Sequence, residues 1–523
     1  MIELQKIISV LEGVETLNFK NVLVKGIAYH TDRVEEGYIF VCIKGYQTDG
    51  HLYAQKAASK GALVLIVEDF IEGIAIPQVK VSNSRKALAQ ISAYFYGYPS
   101  KDMVMIGVTG TNGKTTTTFL IDRVLQKAYG KTGLIGTVIV KNGDSYIPAE
   151  LTTPESLDLQ RYLWEMKENN IKYTTMEVSS SGLDLNRVDT IDYKIAVVNN
   201  ISRDHIDLHG SFENYVNAKK KLVRNLKADS VAILNGDCTE TLNFGIETIA
   251  PKITFGIKNP FTSVVAESID LSKSETSYKL KVNETLVFDG REIQPQEFEV
   301  KLKIMGLHNV YNSLVAATVG LIMGVDVADI QKALYEFRGV ERRFQLIYND
   351  EFKIIDDHFA NPGNIRITLD TIKKMNYSQF LLVYAIRGSR GVTVNSENAR
   401  VIAENKELFG LKNIILTTSN DYVGKKDIVT DDELNCVVKI LEEGGIKTQI
   451  YPTLAEGVKR AIDLAQKDSL ILLGGCQGMD FGAKIALDYI YQKIVSRQKL
   501  SVKTLKELKD KIYEPLKDRV AGI

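Results

Sequence analysis

Short apolar runs that end in small or polar residues recur along this chain and alternate with stretches of helical period. Residues 37–43 (GYIFVCI), 62–68 (ALVLIVE) and 77–82 (PQVKVS) read as strands, and SRKALAQISAYFYG from Ser84 has helical spacing up to the turn signal at Tyr98-Pro99. The first twenty residues also set apolar positions at helical intervals. From about Ser100 the strands change character: 103–108 (MVMIGV), 173–179 (YTTMEVS), 195–201 (IAVVNNI) and 231–237 (VAILNGD) are apolar on both faces. That is the pattern of parallel strands in a doubly wound sheet, whose ligands sit at the carboxyl ends of the strands. Residues 253–303 read as antiparallel strands flanking that sheet. From about Gly339, FKIIDD, QFLLVYAI, NIILTTS and SLILLGG alternate with helical 365–375, 397–409, 432–443 and 454–466, which predicts a second open sheet of Rossmann-like type. The class is α/β, in three units expected at 1–99, 100–337 and 338–523, the last ending in a charged helical tail without a chemical signature.

A chain of 523 residues exceeds what one core supports, which agrees with that division. Its 65 basic residues are balanced by 65 acidic ones, so general binding to nucleic acid or to a membrane surface is not expected, although a local basic cleft for phosphates is compatible. No apolar run reaches the roughly 18 residues that cross a bilayer. The amino-terminal residues lack the basic-then-apolar layout of a signal peptide. Cys42, Cys238, Cys436 and Cys476 are scattered without paired spacing, as buried reduced thiols would be. A cytoplasmic monomer is the expectation.

The strongest chemical signal follows the strand at 103–108. It runs into Thr109-Gly110-Thr111-Asn112-Gly113-Lys114-Thr115-Thr116 and then the helical TFLIDRVLQKA. A strand, a glycine-containing loop and a helix start surround a phosphate chain with backbone N–H groups and the positive helix end. Lys114 is then placed for the β- and γ-phosphates and the Thr115 hydroxyl for Mg²⁺. Val108 stands where strict P-loop spacing has glycine, and Gly110 replaces it in this variant. Farther on come Glu177-Val178-Ser179-Ser180, the segment Asn200-Ile201-Ser202-Arg203-Asp204-His205-Ile206-Asp207-Leu208-His209-Gly210, and Tyr215-Val216-Asn217-Ala218-Lys219. Alone, Glu177 could equally be a surface carboxylate and His205 a packed histidine; their order beyond strand ends after a phosphate loop points both toward a metal and a triphosphate.

TGTNGKTT resembles the nucleotide loop of Mur ligases and folylpolyglutamate synthetases, and the later segments resemble the Mur motifs EVSS and DHxDxH. The resemblance implies ATP as cosubstrate, Glu177 as a Mg²⁺ ligand, His205 as ligand of a second Mg²⁺, and Lys219 as a carbamylated lysine. Among the adjacent lysines 219–221, the alanine-lysine match favours the first. Thr152-Thr153-Pro154, by itself an ordinary helix start, is similar to the TTP motif with which the tripeptide-synthetase branch holds its UDP-linked peptide. Phe40-Val41-Cys42-Ile43-Lys44-Gly45-Tyr46-Gln47-Thr48-Asp49-Gly50-His51 resembles the FVAxxGxxxDGH segment of the UDP-binding domain, and Thr31 stands for the serine of DSRxVxPG. Lys44, Gly45, Asp49, His51 and Thr31 are thereby implied in substrate binding, together with Ser179 and with Arg187, whose guanidinium suits a carboxylate or pyrophosphate. Gly306-Leu307-His308-Asn309-Val310-Tyr311-Asn312 resembles the G-x-x-N-x-x-N element that sets Asn309 near adenine, and Arg343 and Asp357 match motifs opening the third domain, which implies both in nucleotide binding.

The resemblance runs nearly the whole chain in order, dense from Val108 to Lys219 and sparse after Phe344. Ser181 and Ala360 stand where histidines are usual, Ser419-Asn420-Asp421-Tyr422 where the bacterial branch has DNPR, and Gly474-Gly475-Cys476-Gln477-Gly478 in place of a glycine-lysine-glycine-histidine-glutamate run. Arg387-Gly388-Ser389-Arg390-Gly391 is a candidate replacement anion site, with Arg387 and Arg390 as its cations, or else a solvated turn. The implied architecture is three-domain, with a central P-loop sheet and a Rossmann-like third domain. The implied reaction is ATP-dependent amide formation between a UDP-linked cell-wall peptide precursor and an amino acid. Loss of the acceptor motif points toward the archaeal pseudomurein peptide ligases, with a bacterial tripeptide synthetase of peptidoglycan synthesis as alternative. Folate as substrate is disfavoured by the TTP segment. A non-catalytic nucleotide-binding subunit is the rival of another class, and the joint presence of Lys114, Glu177, His205 and Lys219 counts against it.

Overall fold

The computed structural model describes residues 1–45, 48–202, 209–271, 275–497, 501–517 and 519. Its first sheet has five strands in the order Glu15–Leu17, Gln78–Lys80, Ala62–Val67, Tyr38–Val41 and Gly26–Ala28, antiparallel in the first pair and parallel in the rest. Helix Ser84–Phe95 starts where the Asn83 side chain accepts the Lys86 N–H, a cap that contributes about 1 kcal/mol. It lays Ala87, Leu88 and Ile91 onto that sheet. The helical pattern of the first twenty residues is realised only over Leu4–Ile8. Gly13, at φ 61°, turns the chain in a conformation other residues resist, and Glu15–Leu17 is claimed by edge pairing with Gln78–Lys80.

The central sheet has eleven strands. Gly133–Ile135, Tyr173–Glu177, Val104–Thr109, Tyr193–Val198, Val231–Asn235 and Lys252–Gly256 lie parallel, in that order. The hairpin Ile139–Asn142 and Ser145–Pro148 extends one end, and Val264–Asp270, Thr276–Val282 and Gln296–Leu302 extend the other. Lys252–Gly256 therefore corrects the antiparallel expectation for 253–303 at its first strand: the helix Thr239–Phe244 carries the chain back so that it pairs parallel to Val231–Asn235. Helices Lys114–Tyr129 and Leu307–Met323 bury Leu120, Ile121, Leu314 and Val315 against one face, while Ser156–Glu168 and Phe212–Arg224 bury Leu159, Leu163, Tyr215 and Leu222 against the other. Tyr173–Glu177 and Tyr193–Val198 flank Val104–Thr109 on opposite sides, so the connections diverge there and a crevice opens beyond the carboxyl ends of all three.

The third sheet orders Gln345–Asn349, Lys353–Asp357, Leu470–Gly475, Phe380–Ala385, Asn413–Thr417 and Lys447–Tyr451, with only the first pair antiparallel. The helix expected at 397–409 starts earlier, as Gly391–Glu404, and is followed by the separate turn Lys406–Phe409. Its first turn, Gly-Val-Thr-Val, has poor helix formers and hides the start from propensity. Helices Gly482–Arg497 and Val502–Tyr513 follow the last strand. Among the described residues no helix is long and apolar enough to cross a membrane.

Candidate functional site

Beyond Val104–Thr109 the loop is shaped by two glycines. Gly110, at φ 153°, runs so close to the next strand end that a Cβ would sit 3.0 Å from Asn199 Cβ. Gly113, at φ 85°, precedes helix Lys114–Tyr129, and a Cβ there would meet Asn312 Oδ1 at 2.6 Å. Asn200 clamps the loop reciprocally: its Oδ1 accepts the Asn112 N–H (2.9 Å) and its Nδ2 donates to the Asn112 carbonyl (3.0 Å). Thr111 Oγ1 shares a 2.8 Å hydrogen bond with the Tyr215 hydroxyl and accepts the Ser202 N–H at 2.9 Å. The Lys114 ammonium arches back over the loop, donating to the carbonyls of Gly110 (2.9 Å) and Thr111 (3.1 Å). Thr115 and Thr116, both nearly buried, occupy the first helical turn, where backbone N–H groups have no partner within the helix.

Glu177, fully buried at the end of its strand, meets this loop. Its Oε2 accepts from the hydroxyls of Thr115 (2.9 Å) and Thr137 (3.1 Å), and its Oε1 from the Thr137 N–H (2.7 Å). Only glycine fits at Gly136, because a Cβ would collide with that carboxylate. Thr152 Oγ1 shares a 3.1 Å hydrogen bond with Thr137 Oγ1. Thr153 Oγ1 donates to the Glu177 carbonyl (3.0 Å) and accepts the Ser179 N–H (3.0 Å), while Ser179 Oγ caps the following turn at Gly182 N. The structure thus stitches 152–153 to 177–179. Arg187 donates to the Thr153 carbonyl (3.0 Å) and pairs with Glu155 (2.8 Å), whose other oxygen pairs with Arg85 of the amino-terminal unit (3.1 Å).

His205 lies outside the described residues. Of the three adjacent lysines, Lys219 is the one turned inward: 1% exposed, it donates to the Gly110 carbonyl (2.9 Å) and lies over the Tyr215 ring at 4.9 Å. Lys220 pairs with Glu247 and Lys221 with Asp184 at the surface. Asn309 is linked to the loop through a run of amides and hydroxyls: Asn312 Nδ2 donates to its Oδ1 (3.1 Å), and Thr117 Oγ1 donates to Asn312 Oδ1 (3.1 Å).

Across the crevice the third sheet presents Arg343. Burial pushes its pKa down against the pull of the Glu177 and Asp357 carboxylates. Asp357 is engaged at the entrance of the third domain. Its oxygens accept the N–H groups of Phe344 (2.8 Å) and Phe359 (3.1 Å) and the Thr368 hydroxyl (2.9 Å), so it braces the segment entering the domain, and burial pushes its carboxyl up. Arg387 and Arg390 also part company. Arg387 stands at the carboxyl end of Phe380–Ala385, donates to the Ala360 carbonyl (3.3 Å), and faces His358, held neutral by burial and by Arg343, Arg342 and Arg387. Arg390 points away, its side chain 44% exposed and 3.9 Å from Asp427. The turn between them is not an open anion cradle, because the Glu433 carboxylate accepts the N–H groups of Ser389 (3.1 Å), Arg390 (2.8 Å) and Gly391 (2.7 Å). In the 419–422 segment, Asp421 caps helix Leu454–Leu464 (2.8 Å to Leu454 N) and Tyr422 stacks on Phe481 at 4.5 Å.

In the amino-terminal unit, Asp49 and His51 are engaged with each other. His51 Nε2 accepts the Glu68 N–H (2.9 Å), which puts its ring proton on Nδ1, 2.6 Å from Asp49 Oδ1. Lys44 reaches Glu68 at 3.3 Å, and the Gly45 N–H donates to the Thr48 carbonyl. Thr31 is buried, its carbonyl accepting from Lys60, in the turn beside Arg33. Arg33 pairs at 2.8 Å with Asp158 on the helix that follows 152–154, so this unit faces the same crevice.

The chain matches three family models in order: Mur ligase family, catalytic domain, over 23–96; Mur ligase middle domain over 108–320; and Mur ligase, glutamate ligase domain, over 342–477. It is 34% identical over 481 residues to UDP-N-acetylmuramoyl-L-alanyl-D-glutamate--2,6-diaminopimelate ligase of Halalkalibacterium halodurans, covering 91% of this chain and 94% of that protein. The chain belongs to the Mur ligase family. It is accordingly an ATP-dependent amide-bond ligase, from a family that also requires Mg²⁺. Among solved structures, MurF of Acinetobacter baumannii shares the Mur ligase fold at TM-score 0.66 and 21% identity, over 93% of this chain and 98% of that one. A pseudomurein peptide ligase type C from Methanothermus fervidus shares it at TM-score 0.52 and 18% identity, over 90% and 100%.

Several contacts of this Mur ligase site escape the sequence reading. Thr137 and Asn199 hold the phosphate loop or its carboxylate; Asn312 and Tyr215 do so too, though in the sequence they stand only as members of longer motifs; and Arg85 joins the amino-terminal unit to Glu155. The glycine at 136, just after the strand Gly133–Ile135, is the one local signal that could have pointed to Thr137.

Proposed function

We propose that this Mur ligase joins an amino acid to the carboxylate of a UDP-linked muramoyl peptide in peptidoglycan synthesis. The observation that carries this reading is the stitching of Thr153 to the backbone of Glu177 and Ser179, and of Thr152 to Thr137, whose N–H and hydroxyl hold the Glu177 carboxylate; it sets a tripeptide-synthetase-like segment beside the phosphate loop. The relatives' names support the muramoyl donor over the pseudomurein one, since likeness to the pseudomurein ligase extends to the fold alone.

A carboxylate does not react with an amine at neutral pH, because its leaving group is poor. Transfer of the ATP γ-phosphoryl group to the donor carboxylate gives an acyl phosphate; the amine attacks, and the tetrahedral adduct collapses to amide and phosphate. Lys114 and the first-turn amides face the phosphates and spread the charge that builds as two anions meet. The hard oxygens of Thr115 and Glu177 fit Mg²⁺, which prefers few protein ligands alongside phosphates and water. When bound, the ion supplies further positive charge between the two anions. Lys219, as a carbamate, would offer oxygens beside Gly110, with His205 as a further ligand. Arg343 closes the nucleotide side near Asn309. Arg187 and Ser179 serve the donor end, and Thr31, Lys44 and Gly45 the uridine end, with Asp49 and His51 as its brace.

The acceptor end departs from the bacterial pattern, because Tyr422 supplies no charge where an arginine fork would hold a carboxylate. Arg387 is the cation assigned to the α-carboxylate of the incoming amino acid. Arg387→Ala is expected to raise the KM for the amino acid about tenfold or more, with smaller changes in the KM for ATP and for the UDP substrate, whereas Arg390→Ala leaves all three near wild type. Steady-state kinetics on both variants decides it, and equal effects would defeat the assignment. The function itself is tested by phosphate release from UDP-linked muramoyl peptides with each common amino acid and with meso-diaminopimelate, read by product mass. The expected product carries an amino acid other than diaminopimelate. Efficient use of meso-diaminopimelate would return the acceptor to the bacterial rule, and silence with every muramoyl donor would overturn the donor.

A further inference from the structure

The carboxyl-terminal segment takes no part in the chemistry above, yet its end is built into the entrance of the third domain. After helix Val502–Tyr513 the chain crosses the antiparallel edge of the last sheet, where Gln345 Nε2 donates to the Pro515 carbonyl (3.0 Å) and Arg338 pairs with Glu514. Ile512 and Leu516 enter the core there. Arg519, 4% exposed, then reaches Asp356 Oδ2 at 2.6 Å and Gln345 Oε1 at 3.0 Å. Asp356 is fully buried, and on its other side Arg342 Nε lies 3.6 Å from Oδ1. Arg342, itself 5% exposed, also pairs with Asp480 and donates to the Gly475 carbonyl. One buried carboxylate therefore sits between two guanidinium groups, one from the domain entrance and one from the end of the chain.

The backbone at the entrance depends on such anchors. Arg342 (φ 57°) and Phe344 (φ 52°) are both left-handed, at a cost of roughly 1–2 kcal/mol each for a residue with a side chain, and they bracket Arg343. Three contacts hold this turn: the His358 N–H to the Arg342 carbonyl (2.9 Å), the Phe344 N–H to Asp357 (2.8 Å), and the ion pairs of Arg342. The turn also meets the central unit, since Phe344 packs edge-on against His308 of helix Leu307–Met323 at 6.2 Å, and near it helix Pro362–Ile372 brings Gly363 to the phosphate loop, where a Cβ would lie 3.7 Å from Asn112 Nδ2. Without Arg519, Asp356 would be left in the interior with Arg342 as its remaining guanidinium partner. Arg342 would then be drawn from Asp480 and Gly475 toward Asp356, and the left-handed turn would move with it.

We infer that Arg519 is a positioning residue for the ligase reaction: through Asp356 and Arg342 it fixes the strained turn that presents Arg343 to the phosphate-loop side of the crevice. The inference rests on the proposed place of Arg343 at the nucleotide, and assigns the tail a function in catalysis beyond packing.

The test uses the full-length protein and four single variants: Arg519→Ala, Arg519→Lys, Arg343→Ala, and Tyr513→Phe, which loosens the tail at Asp488, away from the turn. Arg519→Ala is expected to lower kcat/KM for ATP about tenfold, leaving the KM for the amino acid unchanged, and Arg519→Lys to recover most of the loss. Tyr513→Phe is expected to lower the Tm while keeping wild-type kinetics, which a merely structural tail would not separate. Should Arg519→Ala fail to fold, the double variant Asp356→Asn with Arg519→Gln removes both charges together and is expected to show the same kinetic loss. Wild-type kinetics for ATP in a folded Arg519→Ala or double variant, or an equal loss in Tyr513→Phe, overturns the inference while an impaired Arg343→Ala leaves the nucleotide reading intact. Wild-type turnover in Arg343→Ala removes that reading, and the inference with it.

Discussion

Lys114→Ala is expected to abolish amide formation in a protein that still folds. The side chain begins helix Lys114–Tyr129 and lies across the carbonyls of Gly110 and Thr111, above the loop amides. As the γ-phosphoryl group moves toward a carboxylate, two anions approach, and a fixed ammonium in a site with little water is worth more there than in solution. Removing it should cost about 3 kcal/mol or more of transition-state stabilisation, a loss of two orders of magnitude in kcat. Alanine is a good helix former and Lys114 fills no part of the core, so the Tm should stay near wild type. Phosphate release and thermal unfolding on the same sample separate the two effects. Near-normal turnover in the folded variant would sink the phosphate-loop assignment.

The phosphate loop is legible in the sequence because its chemistry is local. Gly110 and Gly113 must let backbones approach Asn199 and Asn312, and Lys114 and Thr115 must follow at once, so the signal is compressed into a few adjacent positions. Thr137 is not legible, since it reaches Glu177 from the end of another strand and no rule of spacing links positions 40 residues apart. The same limit separates Arg387 from Arg390. In the sequence they are equivalent members of one turn; in the structure Glu433, 43 residues beyond Arg390, accepts the turn's N–H groups and leaves only Arg387 facing His358. Asp357 is legible as a residue of interest, but its contacts are not, because they include the Phe344 N–H 13 residues earlier and the Thr368 hydroxyl 11 residues later. The direction of Lys252–Gly256 likewise depends on a crossover and not on period, which cannot distinguish a short parallel strand from an antiparallel one.

Lys219→Ala should lose most activity, by about a hundredfold or more if its modified side chain holds a metal that the reaction needs. An amine 1% exposed, beside Thr109, Gly110 and the Tyr215 ring, is shielded from bulk water at the phosphate loop. A neutral lysine amine is the nucleophile that adds to carbon dioxide, forming an N–C bond and releasing a proton to give a carbamate. The product replaces a cation with an anionic pair of oxygens, which suits a hard divalent cation next to a triphosphate. Lys219→Ala leaves a space the length of the lost side chain, so short carboxylates added to the assay should restore part of the rate. Lys219→Arg should not recover activity, since its guanidinium remains charged and forms no carbamate. Wild-type protein equilibrated with ¹³C-labelled bicarbonate should show a carbamate carbon resonance that is lost in Lys219→Ala. An unmodified amine paired with an acidic side chain, together with no rescue by any carboxylate, would show that Lys219 braces the loop at Gly110 as a cation.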